Sequence, residues 1–168
     1  MNKLFLSLWL IVLFNDCSTH KLKVSDMKVQ VNIVKKLNPI EFKVKKGIFY
    51  SVKIDLINNT DSDFKFWVMT CAWEETWVGD HELRLYKHGC DGNFPKIKLI
   101  EPGQKIIYNG IVHFDDTVRL SSNSNFKLGF VHIKENDVSK ARDFYKLLSE
   151  KIKEHKDIIW SNSFNLDN

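Results

Sequence analysis

Ser51-Val52-Lys53-Ile54-Asp55-Leu56 is followed by Asn58-Asn59-Thr60-Asp61-Ser62-Asp63, and the chain then returns as Phe64 to Ala72. Val52, Ile54 and Leu56 point one way while Ser51, Lys53 and Asp55 point the other. That period of two belongs to a half-buried strand. The polar run behind it is made of residues that supply turn geometry and local side-chain hydrogen bonds. Together the three pieces predict a hairpin with a polar loop.

The same alternation recurs on both sides. Val29, Val31 and Ile33 alternate with Lys28, Gln30 and Asn32, and a short run around Glu41 to Val44, after Asn38-Pro39, is expected as an edge strand. Downstream, His81 to Tyr86 and Phe94 to Ile100 are strand candidates. Glu101-Pro102-Gly103-Gln104 is the signature of a type II turn, because Pro presets φ and Gly accepts φ > 0. Lys105 to Phe114, Val118 to Leu120, Phe126 to Ile133 and Ile158 to Leu166 complete the expected strands. One segment has a period of 3.6: Val138, Ala141, Tyr145, Leu148 and Ile152, widened by Phe144 and Leu147. Asn136 and Asp137 are its N-cap candidates, and Lys151, Lys153, His155 and Lys156 suit its negative end.

Many short strands with turn clusters and no strand–helix–strand repeat predict a mainly β protein, an antiparallel β-sandwich closed by one C-terminal amphipathic helix. The strand–polar turn–strand and Pro-Gly-turn pattern across Ser51 to Phe114 resembles the immunoglobulin-like sandwiches of bacterial exported proteins. The resemblance implies the sandwich and carries no functional residue across.

The N-terminus predicts export. Lys3 precedes an apolar run, Leu4 to Phe14, too short to cross a hydrocarbon core of ~30 Å as a helix, and polar residues follow at once. Residues 1–19 are expected to be a signal peptide and 20–168 a single β-rich domain. Cys17 stands directly behind the apolar run, where a lipoprotein signal is cut and acylated, although Asn15 and Asp16 replace the small residues of that pattern. Ordinary cleavage after Ser18 or Thr19 is the alternative. Either event leaves Cys71 and Cys90, an even pair in an oxidising compartment, and predicts a disulfide between them. It would close a loop of about 20 residues, worth roughly 3 kcal/mol in the chain-entropy model.

The 168 residues carry a formal net charge of +4, with 43% hydrophobic and 27% charged residues, the balance of a globular protein. The basic residues are nearly all lysines that alternate with apolar residues along strands, the pattern of a solvated sheet face. No nucleic acid is expected as a partner.

Trp67 to Cys90 is the most unusual stretch: Trp67, Trp73 and Trp77, the acids Glu74, Glu75, Asp80 and Glu82, the histidines His81 and His88, and both cysteines. Its first reading is structural, tryptophan packed beside a disulfide, with Trp67 in the core. The second is ligand binding, Trp73 and Trp77 forming an exposed aromatic platform with Glu74 and Glu75 as acceptors for a sugar or peptide. The third, zinc held by His81, His88, Cys71 and Cys90, lacks the short paired spacings of structural sites, so no metal is expected. No catalytic glycine-serine elbow, phosphate loop or His-Glu-x-x-His occurs, so no catalytic residue or cofactor is assigned. His113 and His132 read as structural. Asn58-Asn59-Thr60 matches the glycosylation pattern, but a turn already explains it.

The function expected from this is a non-catalytic binding or assembly protein of the bacterial envelope or exterior, with a protein or glycan ligand and membrane attachment through lipid on Cys17. The alternatives are a carbohydrate-active or other hydrolytic enzyme using carboxylates near Trp73 to Glu82, and an extracellular protease inhibitor presenting the Asn58 to Asp63 loop.

Overall fold

The computed structural model describes residues 27–42, 47–114 and 124–166. The expected signal peptide with Cys17 and the expected strand Val118 to Leu120 lie outside them. Strands β1 (Met27–Leu37), β2 (Ile48–Asn58), β3 (Phe64–Met69), β4 (Trp77–Gly79), β5 (Arg84–Leu85), β6 (Pro95–Ile100), β7 (Lys105–Phe114), β8 (Leu128–Val131) and β9 (Ile158–Trp160) are joined by helix α1 (Phe144–Glu154) and short 3-10 turns. The protein is mainly β with antiparallel sheets and one C-terminal helix, as the alternation predicts.

β2 is the centre of a four-stranded sheet ordered β1-β2-β7-β5. Its alternate residues Val52, Ile54 and Leu56 are fully buried, each contributing about 1.5–3 kcal/mol by burial. They meet Phe64, Phe66 and Val68 of β3, Trp77 of β4 and Leu128 and Phe130 of β8 in one hydrophobic core. The other two sheets, β3-β6 and β4-β8-β9, thus face the first across that core, an arrangement consistent with a sandwich. A parallel bridge between Val29 and Ser161 joins β1 to the chain beyond β9.

Two strands adjacent in sequence are not partners. β2 pairs with β1 and β7, while β3 pairs with β6 in a different sheet, so the expected hairpin is instead a crossover. Asn58 turns the chain out of β2. Its buried amide donates to Ser62 O (2.8 Å) and Ile100 O (2.9 Å), and its Oδ1 accepts from the Thr60 amide (3.0 Å) and hydroxyl (2.7 Å). The Asn58 backbone also pairs with Gly103 and Gln104. The type II turn is present, with Gly103 at φ 73° and Gln104 N–H donating to Glu101 O at 3.0 Å. One asparagine therefore pins both crossovers together.

Other expectations shift for local reasons. Of the edge strand expected around Glu41 to Val44, residues 43–44 lie outside the described residues, and Pro39–Phe42 forms a 3-10 turn: Asn38 Oδ1 accepts from the Ile40 amide, and Phe42 stacks on Phe49 at 4.6 Å. The helix begins later than its apolar stripe suggests. Asp137 does not cap it, because its carboxylate accepts from the Lys134 amide (3.0 Å) and from Lys151 Nζ (2.8 Å). α1 buries Phe144, Leu148 and Lys151 and leaves Tyr145 exposed, while Ala141, also exposed, lies in the 3-10 turn before it. Phe144 and Leu148 pack with Met69, Ala72, Val131, Ile133 and Val138 in a second, smaller core. Left-handed His155 (φ 52°) ends the helix, with the Lys156 amide donating to Lys151 O.

Candidate functional site

Cys71 and Cys90 are joined in a disulfide, with Cα atoms 6.4 Å apart. The bond suggests an oxidising, extracellular-type environment. Beside it, Asn93 Oδ1 accepts from the amides of Cys71 (3.3 Å) and Ala72 (3.2 Å). The loop these contacts fasten holds a 3-10 turn, Trp73–Thr76, then β4 and β5. Thr76 Oγ1 closes the turn on Trp73 O at 2.8 Å. Gly79 ends β4 where a Cβ would strike the Leu83 backbone, so no larger residue fits.

The four residues expected as an exposed platform are placed differently. Trp73 is half-buried, stacked on Tyr108 at 4.5 Å, with Gly110 leaving room for its ring. Trp77 is buried in the main core against Phe130 and Tyr108. The two indoles meet edge to face at 6.4 Å. Glu74 is 2% exposed, its Oε1 2.9 Å from Nδ1 of the half-exposed His88. Glu75 is half-buried and hydrogen-bonded to the Tyr145 hydroxyl, whose pKa is raised by burial and by the Glu75 charge. Trp67 is half-buried as well, packing on the second core and donating Nε1–H to Glu135 O.

Glu75 and Trp77 do reach a common groove. It is lined by β4, by Arg84, Leu85 and Lys87 from the disulfide loop, and by Ile152 of α1, His155 just past the helix and Trp160 of β9. It encloses about 390 Å³ and continues past Glu75, Lys87 and Ile152 to Tyr145 and Ser149. Neighbouring rows of the β4-β8-β9 sheet explain why it is open. Val131 and Ile158 are cross-strand partners packed with the helix core, Val78 packs against that core as well, and the pair Gly129–Trp160 stands beside the groove. A Cβ at Gly129 would lie 2.9 Å from the Trp160 ring, so the indole rests on bare backbone, 38% exposed. Lys87 has no ion-pair partner among the described residues, and Arg84 reaches Glu82 at 3.7 Å. An exposed indole with a polar rim of both signs suits a sugar or peptide. Trp160, Arg84 and Lys87 were not expected in the site; the sequence signal for Trp160 is its place on the opposite side of β9 from buried Ile159.

The remaining candidates have other employment. The disulfide removes both cysteines from any zinc set, and among the described residues no group of three or more His, Cys, Asp or Glu stands together. His113 stacks on Phe49 at 5.4 Å. His132 is buried against Phe64 at 4.4 Å, and burial pushes its pKa down to about 4. The glycosylation pattern at Asn58 falls on a fully buried amide that already donates two hydrogen bonds. Among the described residues no helix is long and apolar enough to cross a membrane.

No protein-family model and no curated protein matches the chain. Among solved structures it is similar to a FixG-related protein from Vibrio parahaemolyticus, at 11% identity and TM-score 0.41, covering 83% of this chain and 95% of that one. It is also similar to a GH20 exo-β-N-acetylglucosaminidase from Vibrio harveyi in complex with N-acetylglucosamine, at 14% identity and TM-score 0.27, covering 63% of this chain and 16% of that one. Likeness at these scores carries no argument about function.

Proposed function

We propose that the protein is an exported, non-catalytic binding or assembly protein of the bacterial envelope or exterior, attached through lipid on Cys17 or released, and that the groove seats a glycan or peptide. The observation that carries this reading is the construction of the groove. The loop closed by Cys71–Cys90 supplies much of its lining, including Trp77, Arg84 and Lys87, so the disulfide holds a ligand-sized recess against α1. A crosslink placed there stabilises the geometry of the recess before any ligand arrives, which lowers the ordering cost of binding.

The test is a binding screen of the purified, disulfide-intact protein against glycans and extended peptides, repeated with Trp160→Ala and Lys87→Gln. The reading expects one ligand class to bind and both variants to weaken it, with thermal unfolding unchanged. Binding untouched by either variant would place the ligand elsewhere, and turnover of any ligand would overturn the non-catalytic reading.

One feature favours the alternative of a hydrolytic enzyme. Glu74, nearly fully buried, holds the half-exposed His88 imidazole at 2.9 Å, the relation of an orienting carboxylate to a general base. Under that reading His88→Ala abolishes a hydrolytic activity while leaving the fold intact.

A further inference from the structure

Strand β6 pairs with β3 along one edge, and among the described residues no strand pairs with its other edge. Its alternate side chains divide sharply. Ile97 and Leu99 share a face with Trp67 and Lys65 of β3, and Lys96 and Lys98 share the opposite face with Val68 and Phe66. Ile97 is 41% and Leu99 45% exposed, and Phe94, just before the strand, is 59% exposed. Ile97 and Leu99 thus leave an apolar stripe in water beside a half-buried tryptophan, at a strand edge that no strand among the described residues pairs with. Both are marks of an interaction surface.

The other face specifies the partner. Lys98 lies over the Tyr108 ring at 5.3 Å and is half-buried; burial and the nearby Lys96 charge lower its pKa. Among the described residues neither lysine has an acidic partner. Pairing of β6 with β6 of a second copy would set lysine against lysine on that face, and like charges opposite one another are destabilising. A strand carrying acids on that face and apolar residues on the other satisfies both sides and the open backbone edge.

We propose that β6 accepts an extended segment of another protein as an added strand, one whose side chains alternate acidic and apolar, with its acids beside Lys96 and Lys98 and its apolar residues beside Ile97 and Leu99. Main-chain hydrogen bonds supply affinity and the alternating faces supply specificity, the mode of β-strand addition. The proposal is independent of the groove.

The probe is a synthetic peptide alternating glutamate and valine, long enough to span β6, titrated into the intact protein by fluorescence anisotropy. The controls are a block-scrambled peptide of equal composition and an alternating peptide N-methylated at every second residue. The expected result is binding about tenfold tighter than the scrambled control, and loss of binding on N-methylation at the positions that face β6. Lys96→Glu weakens the glutamate peptide, and Lys96→Glu with Lys98→Glu transfers the preference to a lysine–valine peptide, a reversal that mere unfolding cannot produce. Equal binding of the scrambled peptide would overturn the proposal in favour of diffuse charge attraction. No binding would mean that the lysines only guard the edge against aggregation. A wild-type dimer dispersed by Ile97→Lys would overturn it in favour of self-pairing.

Discussion

At the scale of the residue, Asn58 and His132 make the sharpest claims. Asn58 satisfies four polar groups where two crossovers meet, so Asn58→Ala removes a buried hydrogen bond to Ile100 O, one to Ser62 O, and the acceptor of the Thr60 amide and hydroxyl. The expected loss is about 2–4 kcal/mol in urea unfolding; a loss within a few tenths would mean that the crossovers hold without it. His132 gives a pH dependence with a definite sign. Burial is the largest cause of its depressed pKa, seconded by the charges of Lys151 and Lys134 and opposed by the neighbouring Lys65 backbone and by Asp157. Between the ordinary histidine value of 6.5 and the folded value of about 4, the unfolded chain binds a proton that the folded chain does not. Stability therefore rises with pH through that window, and on acidification from neutral this group removes about 3 kcal/mol. Unfolding midpoints at neutral pH and near pH 4 check this, and His132→Leu flattens the difference.

At the scale of the element, the alternation of Val52, Ile54 and Leu56 was legible because burial of one face imposes a period of two whatever the partner strand. The partner itself was not legible. A six-residue polar loop of Asn, Asp, Ser and Thr serves a hairpin and a crossover equally well, and long-range pairing, Asn58 with Ile100 O, Gly103 and Gln104, distinguishes them. The disulfide was legible from cysteine parity, but the groove was not, because part of its lining comes from α1 and Trp160, far away in the chain. α1 itself is docked by a buried cation as well as by Phe144 and Leu148. Lys151 Nζ donates to His132 O (3.0 Å), Asp137 Oδ2 (2.8 Å) and Asp157 Oδ2 (2.7 Å). Lys151→Met leaves the two partly exposed carboxylates without their cation, and solvent screening limits the expected cost to about 2 kcal/mol. Faster amide exchange confined to α1 and its flanking turns is the readout. Replacing both Cys71 and Cys90 by serine releases a loop of sequence separation 19, at an expected cost of about 3 kcal/mol. Exchange should then quicken in β4 and β5 while β1, β2 and β7 stay protected.

At the scale of the whole molecule, the two cores divide the labour. The large core between the four-stranded sheet and its two partners makes the scaffold, and the small core under α1 sets the helix side of the groove. The disulfide loop is the piece that joins scaffold to groove, so the account depends on Cys71–Cys90 existing in the protein as the cell makes it. The direct test is the intact mass of protein recovered from its native envelope or secreted fraction, alkylated before and after reduction. The account predicts that Cys71 and Cys90 take label only after reduction, on a chain that either begins past residue 17 or carries an acyl adduct on Cys17. Two thiols that take label without reduction would contradict it, removing both the crosslink that shapes the groove and the argument for an oxidising compartment.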